Sequence, residues 1–388
     1  MSTTASSRPR AAVIGGSLAG LSAAVVLARV GYEATVYEQA AGPLSSRGAG
    51  IVLQPDVALL LDEFGVVDPG RIATSCSERQ YLRADGRAET SLAMPQRFTA
   101  WNALYRHLRA AVGDERHHAG QRVLAVEDGE QHATLHFAGG ERREAELVIA
   151  ADGWNSSVRR ALLPDVEPVY AGYVAWRGVA EERDLPQEIL EVFNDRFTFF
   201  EAPDGGHCLC YLVPGTDGEL EPGSRRLNWV WYINVDPGAD LDFQLTDARG
   251  ERRELSISPG TASREFVAMV HARARTMLPQ VFAELVRSTR EPFVQAIVDL
   301  ASPRMAWQRV CLLGDAAFMP RPHTAASTAK AAGDVLTLAD ALHHAGAGNE
   351  PEALRRWAPE RLAVGRALGE HGRRLGLRSQ SGKRTVPR

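Results

Sequence analysis

The chain has 388 residues, 45% of them hydrophobic and 24% charged, with 44 lysines and arginines against 48 aspartates and glutamates and a formal charge of −4. That is enough chain for one large or two ordinary globular domains with a substantial core. The near-balanced charge argues against nucleic acid or an anionic membrane as partner. Four cysteines, Cys76, Cys208, Cys210 and Cys311, are too few for a disulfide framework and match no zinc spacing, which points to a reduced, cytoplasmic setting.

The opening MSTTASSRPR is polar, without the apolar core of a signal peptide. No stretch is long and apolar enough to span a bilayer, since 11–30 is broken by Gly15, Gly16, Gly20 and Arg29. AAVI predicts a strand, GGSLAG (15–20) a tight turn, the run to Arg29 a helix closed by Gly31, and EATVYE a second strand. This order has the length of a dinucleotide-binding unit. Gly15 permits the turn and Gly20 lets the helix lie close to the strand. Ser17, where a middle glycine is expected, is small enough to keep the backbone near a pyrophosphate. The helix N-terminus offers N–H groups and a positive dipole end to phosphates. Glu38 can accept both hydroxyls of an adenosine ribose and would repel a 2′-phosphate, which favours FAD or NAD over NADP.

Residues 47–66 predict a glycine-rich loop, a short strand and a helix, and 102–113 a helix. QRVLAVEDG, ATLHFAGG and AELVIAADG predict three strands in a meander. Residues 171–180, 197–202, 207–214 and 226–235 predict a separate, aromatic-rich, mostly antiparallel sheet. Alternation in the last of these puts Leu227, Trp229, Trp231 and Ile233 on one face, with Asn228, Val230, Tyr232 and Asn234 on the other. Helices are expected over 262–288, 326–345 and 351–376, and a buried strand in RVCLLGD (309–315). The amphipathic C-terminal stretch predicts a helix that covers the core or forms a dimer contact, followed by a frayed tail. The expected fold is α/β: a Rossmann-like nucleotide domain (1–70, 96–165, 291–345) interrupted by a mostly antiparallel substrate domain (71–95, 166–290), with 346–388 as C-terminal helix and tail.

Two further motifs stand out: Asp152, Gly153, Ser156, Val158 and Arg159 in DGWNSSVR, and GDAAFMPRP at 314–322. With GGSLAG and Glu38 they give a chain that resembles the single-component FAD-dependent aromatic-ring hydroxylases, the para-hydroxybenzoate hydroxylase-like family, over about residues 10–345. GIVLQP (50–55), AGYVAWRGV (171–179), FNDRFTF (193–199) and PRPH (320–323) are similar to the members that act on hydroxypyridines. The resemblance implies that Gly15, Ser17, Leu18 and Gly20 hold the FAD pyrophosphate, and Glu38, with Gln39 beside it, the adenosine ribose. Arg47 stands where a basic contact to the cofactor is common, and Val123 would meet the adenine through its backbone. Asp152 belongs to a motif tied to FAD and NAD(P)H, Asp315 would bond the ribitol, and Pro322 would lie against the isoalloxazine beside the substrate. Ser327 and Thr328 would open the helix aimed at the negative edge of reduced flavin, both being good N-cap types. The chain departs from the family pattern there, with AAST for a glycine-rich start, and at Trp101, where an arginine is usual.

The implied chemistry uses NADH or NADPH to reduce FAD, adds O2 at flavin C4a, and passes oxygen from the hydroperoxide to an electron-rich ring activated by loss of a hydroxyl proton. His323, next to Pro322, is the first candidate for base or hydrogen-bond partner, followed by His207 and Tyr211. Phe199, Glu201, Cys208, Cys210 and Pro322 are the expected substrate contacts, with the cysteine face turned to the pocket. Trp176 and Trp231 read as core. Arg177 reads as a surface salt bridge, with an acidic substrate as the alternative. The expected partner is a small aromatic substrate, with no nucleic acid and no membrane, on a monomer or homodimer. The rival readings are an NAD-type dehydrogenase, a flavin-binding protein with altered or lost redox activity, and a hydroxylase or epoxidase of a larger natural product.

Overall fold

The apolar run after Arg10 has no polar residue to face water, so Arg10–Ile14 forms a strand buried from Ala11 onward. A computed structural model describes residues 8–42, 44, 49–202, 206–346 and 348–379. The helix Leu18–Arg29 is apolar on most sides because it is clamped between the sheet and two helices, Trp101–Val112 and Ser327–Ala345. It ends before Gly31, whose φ of +100° few other residues adopt.

Five parallel strands form the first sheet, in the order Val310–Leu312, Leu147–Ala150, Arg10–Ile14, Glu33–Glu38 and His117–Ala119. This corrects the expected meander. Its strands are Val123–Glu127, Ala133–Phe137 and Arg142–Ala145, whereas Leu147–Ala150 joins the parallel sheet. Every residue of LVIA is apolar and buried, the pattern of a strand covered on both faces.

The second sheet has ten strands. Its main path runs Ser256–Ile257, Phe293–Ala301, Val169–Glu181, Arg226–Asn234, His207–Val213, Arg196–Glu201, Thr74–Leu82, Ala88–Ala100 and Gly50–Val52. All neighbours along this path are antiparallel except Arg196–Glu201 beside Thr74–Leu82. A boundary at 291 therefore separates Phe293–Ala301 from the sheet with which it pairs. One face carries Trp176, Trp229, Trp231, Cys208 and Cys210 into a second core under the helices Arg264–Met277 and Gln280–Arg287. The buried indole N–H groups of Trp176 and Trp229 donate to Gln244 Oε1 and Thr289 Oγ1, each at 2.7 Å. The continuous helix expected over 262–288 is split at Pro279, because the residue before a proline is driven out of helical backbone.

The last helix, Glu350–Arg378, packs on Ser327–Ala345 and then passes close to the large sheet. Gly372 and Gly376 permit the approach: a Cβ at either would stand 3.0 Å from an Arg321 atom. Between the two helices Asp334, fully buried, binds Lys330 at 2.5 Å and Arg361 at 2.8 Å. Among the described residues, no helix is long and apolar enough to cross a membrane.

Candidate active site

The C-terminal ends of the parallel strands open onto a cavity of about 430 Å³ lined by Gly15, Ser17, Glu38, Gln39, Val123, Asp152 and Asp315, among others. Its turn has no room for a side chain at positions 15 and 20. A Cβ on Gly15 would sit 2.4 Å from Ala151 O, and one on Gly20 only 1.9 Å from Gly15 O. Gly16 N–H and Ala40 N–H each donate to Glu38 at 2.7 Å, which fixes that buried carboxylate at the strand end. Ser17 is the N-cap residue of its helix but spends no side-chain bond on capping. Leu18 is buried in the core and, like Gly20, shapes the turn without lining the cavity.

Asp152 Oδ2 accepts from the Ser157 N–H at 2.9 Å, whereas Asp152 Oδ1 is buried with no partner. Burial raises the pKa of this carboxyl above the usual range. Ser157 Oγ also bonds the Val123 carbonyl at 2.9 Å. Arg159 is fully buried and turned inward, donating to Trp154 O at 2.8 Å and Ala316 O at 3.3 Å, so it ties two of the three motifs together. Asp315 looks into the cavity; burial raises its carboxyl pKa and Lys330 opposes the rise. Trp101 lines the same space, stacked on Tyr105 with centroids 5.0 Å apart. The glycine turn, the uncommitted Ser17 hydroxyl, the orphaned Asp152 oxygen and Asp315 fit an FAD. Arg47 lies outside the described residues.

A second cavity, about 660 Å³, lies against the large sheet. Its floor is one cross-strand row, Arg177, Val230, Leu209, Phe199 and Tyr81, paired strand to strand in that order. Its walls are Gly50–Val52, 322–328 and the helix end at Leu375, Arg378 and Ser379. The segment 315–328 thus serves both spaces, with Asp315 in the first and Pro322, Ser327 and Thr328 in the second. The N-cap of the helix there is Ala326, so Ser327 and Thr328 occupy its first turn rather than its cap.

At one end of the second cavity the rings of His207, Tyr232 and His323 are packed together, with His323 to Tyr232 at 4.5 Å and to His207 at 5.0 Å between centroids. His323 Nε2 lies 2.8 Å from the Tyr173 hydroxyl. Burial lowers the pKa of His323 to about 3, with His207 and Arg321 adding to the effect, and burial alone lowers His207 to about 4. Both imidazoles are therefore neutral at pH 7. Tyr211 and Phe199 line the floor and Glu201 lies at its exposed edge.

Two expectations are overturned. Cys208 and Cys210 are fully buried on the opposite face, among Trp176 and Trp231. His207, Leu209 and Tyr211 alternate with them and take the cavity side. Arg177 forms no salt bridge among the described residues; it lies in the cavity floor. Arg79, Tyr81, Gln96, Tyr232 and the helix end at 375–379 line the cavity without having been picked out from sequence. Tyr232 carried a signal, because alternation had already put it on the face of Val230. The others carried none that is local.

The comparisons agree with this geometry. A family model described as FAD binding domain-like matches residues 170–299. The chain is 36% identical to a 2,6-dihydroxypyridine 3-monooxygenase of Paenarthrobacter nicotinovorans, over 96% of this chain and 92% of that protein. It is 30% identical to a 6-hydroxynicotinate 3-monooxygenase of Pseudomonas fluorescens, over 90% of this chain and 86% of that protein. The solved structure of 2,6-dihydroxypyridine-3-hydroxylase from Arthrobacter nicotinovorans superposes with a TM-score of 0.89 at 35% identity, covering 98% of this chain and 95% of that one. Two adjoining cavities, one built on a glycine turn and one floored by rings, in a chain matched almost end to end by such enzymes, make this protein a member of the single-component FAD-dependent monooxygenases of aromatic and heteroaromatic rings.

Proposed function

We propose that this monooxygenase hydroxylates a small hydroxylated pyridine-type ring, bound in the ring-floored cavity beside Pro322 and His323. The observation that carries this reading is the sharing of residues 315–328 between the two cavities, which brings a ring in the second against a cofactor held in the first. FAD supplies the redox chemistry when bound, drawing on NADH or NADPH and O2. Gly15, Ser17 and the N–H groups that follow hold the pyrophosphate, Glu38 and Gln39 the adenosine end, with Val123 near the adenine and Asp152 nearby, and Asp315 the ribitol. Ser327 and Thr328 flank the flavin edge.

Phe199, Leu209, Tyr211 and Tyr81 form a largely apolar floor under the ring and exclude water from that side. His323 and His207 remain neutral, so each can accept a hydrogen bond from a ring hydroxyl, which polarises the O–H bond and enriches the ring in electrons without a full proton transfer to the imidazole. Tyr173, bonded to His323 Nε2, sets the imidazole's orientation. All four cysteines are free and buried, which supports a reducing, cytoplasmic setting.

The test is a panel of hydroxylated pyridines and benzoates scored for stimulated NAD(P)H oxidation and for a product heavier by one oxygen. A hydroxypyridine should give both signals. A flavin-loaded protein that none of the rings stimulates would refute the proposal.

A further inference from the structure

We infer that the ring-floored cavity is an anion site, in which Arg177 holds an oxyanion carried by the ring itself, either a carboxylate or an ionised ring hydroxyl. This deepens the hydroxylase reading and rests on it.

Arg177 stands on Val169–Glu181 opposite Val230, and the pleat turns it into the cavity. Its Nε is buried with no hydrogen-bond partner, and the side chain forms no ion pair among the described residues. Arg225, Arg309, Arg321 and Arg361 are each matched by a carboxylate, Glu182, Glu350, Asp299 and Asp334; Arg79 and Arg159 also leave Nε without a partner, but their Nη groups donate to Gln96 Oε1 and to the Trp154 and Ala316 carbonyls. A guanidinium donor taken out of water without an acceptor is unfavourable, so its retention points to an acceptor that arrives with a ligand.

A second unpartnered donor lies beside it, just behind the cavity lining. Asn228, fully buried on the neighbouring strand, accepts the Gly50 N–H on Oδ1 at 2.8 Å. That bond fixes the amide's orientation and leaves Asn228 Nδ2 buried without an acceptor. Arg177 pairs with Val230 and Val179 with Asn228, so the two donors are diagonal neighbours on one face. The charge around them is mostly positive. The lining holds the guanidinium groups of Arg79, Arg177 and Arg378 against a single carboxylate, Glu201, at the exposed edge. A planar guanidinium over aromatic walls suits a planar ring oxyanion, which it can grip through two parallel hydrogen bonds.

The experiment measures calorimetric binding to the flavin-loaded enzyme of three probes: 6-hydroxynicotinate, 2,6-dihydroxypyridine and 2-hydroxypyridine. The first carries a carboxylate, the second an ionisable second hydroxyl, the third neither. The wild type should bind one or both of the first two more tightly than the third. Arg177→Met should weaken that binding about 10- to 100-fold, the factor a lost charge-assisted hydrogen bond carries. The affinity for 2-hydroxypyridine should move by less than about threefold, and Arg177→Lys should recover part of the loss. Whichever probe suffers names the source of the oxyanion. Flavin content and melting temperature, read on the same samples, show that Arg177→Met is folded. A folded Arg177→Met that binds the anionic rings as the wild type does overturns the inference, as does a wild type that prefers the neutral ring. Either result leaves the hydroxylase reading standing if turnover persists. A wild type that hydroxylates no ring defeats the hydroxylase reading instead, and the inference with it.

Discussion

Replacing Asp334 by asparagine tests the brace under the cofactor cavity. Asp334 is fully buried and holds two cations that are themselves buried, Lys330 at 2.5 Å and Arg361 at 2.8 Å. Its Oδ2 also lies 3.4 Å from the Gly314 N–H, one residue before Asp315. Charges about 4 Å apart interact by about 4 kcal/mol at an effective dielectric near 20. Much of that is offset by the desolvation of forming the cluster, but Asp334→Asn removes the anion and leaves both cations inside. The expected cost is about 3–5 kcal/mol. Urea unfolding followed by tryptophan fluorescence reads it as a lower midpoint at unchanged slope. The apolar triple Lys330→Met, Asp334→Leu, Arg361→Met should cost less than the single change, since it strands no charge. A loss below about 1 kcal/mol for Asp334→Asn, or a triple worse than the single, would show that the cluster is not a coupled buried network. Asp334→Asn should also lower the flavin retained on purification, because the loop before Asp315 loses an anchor.

Gly20→Ala would force a methyl to within 1.9 Å of the Gly15 carbonyl, so the protein should purify without flavin absorbance; a yellow Gly20→Ala protein would disprove that close approach. Burial lowers His207 to about 4, below its unfolded value. The unfolded chain therefore binds the extra proton first as pH falls, and stability should decline from about pH 6.5 down to about pH 4. His207→Gln should flatten that decline in urea midpoints taken across the range. An unaltered slope would place the titration elsewhere. Cys208→Ser buries a hydroxyl in the tryptophan core, at an expected cost of about 1–3 kcal/mol in stability with KM unchanged. A raised KM at unchanged stability would return the cysteines to the cavity side.

Much of the cofactor unit was legible because its constraints are local. Gly15, Gly20 and Glu38 lie within one short stretch, and steric limits and hydrogen bonding act along it. The strand faces were legible too, since alternation alone separated Val230 and Tyr232 from Trp229 and Trp231. Which face would meet the ligand was not, because that depends on where the helices Arg264–Met277 and Gln280–Arg287 settle; they cover the Trp and Cys face and leave Arg177 and Leu209 for the cavity. Pro279 was visible as a break, yet the helical composition on both sides of it masked the division. Arg79 and Tyr81 lie on Thr74–Leu82, whose TSCSERQYL hardly alternates, and pairing with Arg196–Glu201 rather than local pattern sets the strand. The helix end at Leu375–Ser379 reaches the cavity through distant glycine contacts at Gly372 and Gly376.

The polypeptide leaves the parallel sheet at Glu38 and re-enters beside the same strand at His117; it leaves again at Ala150 and re-enters one strand away at Val310. Each long excursion starts and finishes on neighbouring strands, about 5 Å apart, so the scaffold itself closes the loop. Lengthening such a loop costs little, because closure entropy grows only slowly with its size. The ring-binding floor belongs to these excursions, whereas Gly15 and Glu38 belong to the scaffold. Exchanging the two excursions between relatives, with Gln39, Trp101 and residues 151–160 kept because they line the cofactor cavity, should therefore transplant the floor's share of ring preference and leave the dinucleotide grip in place.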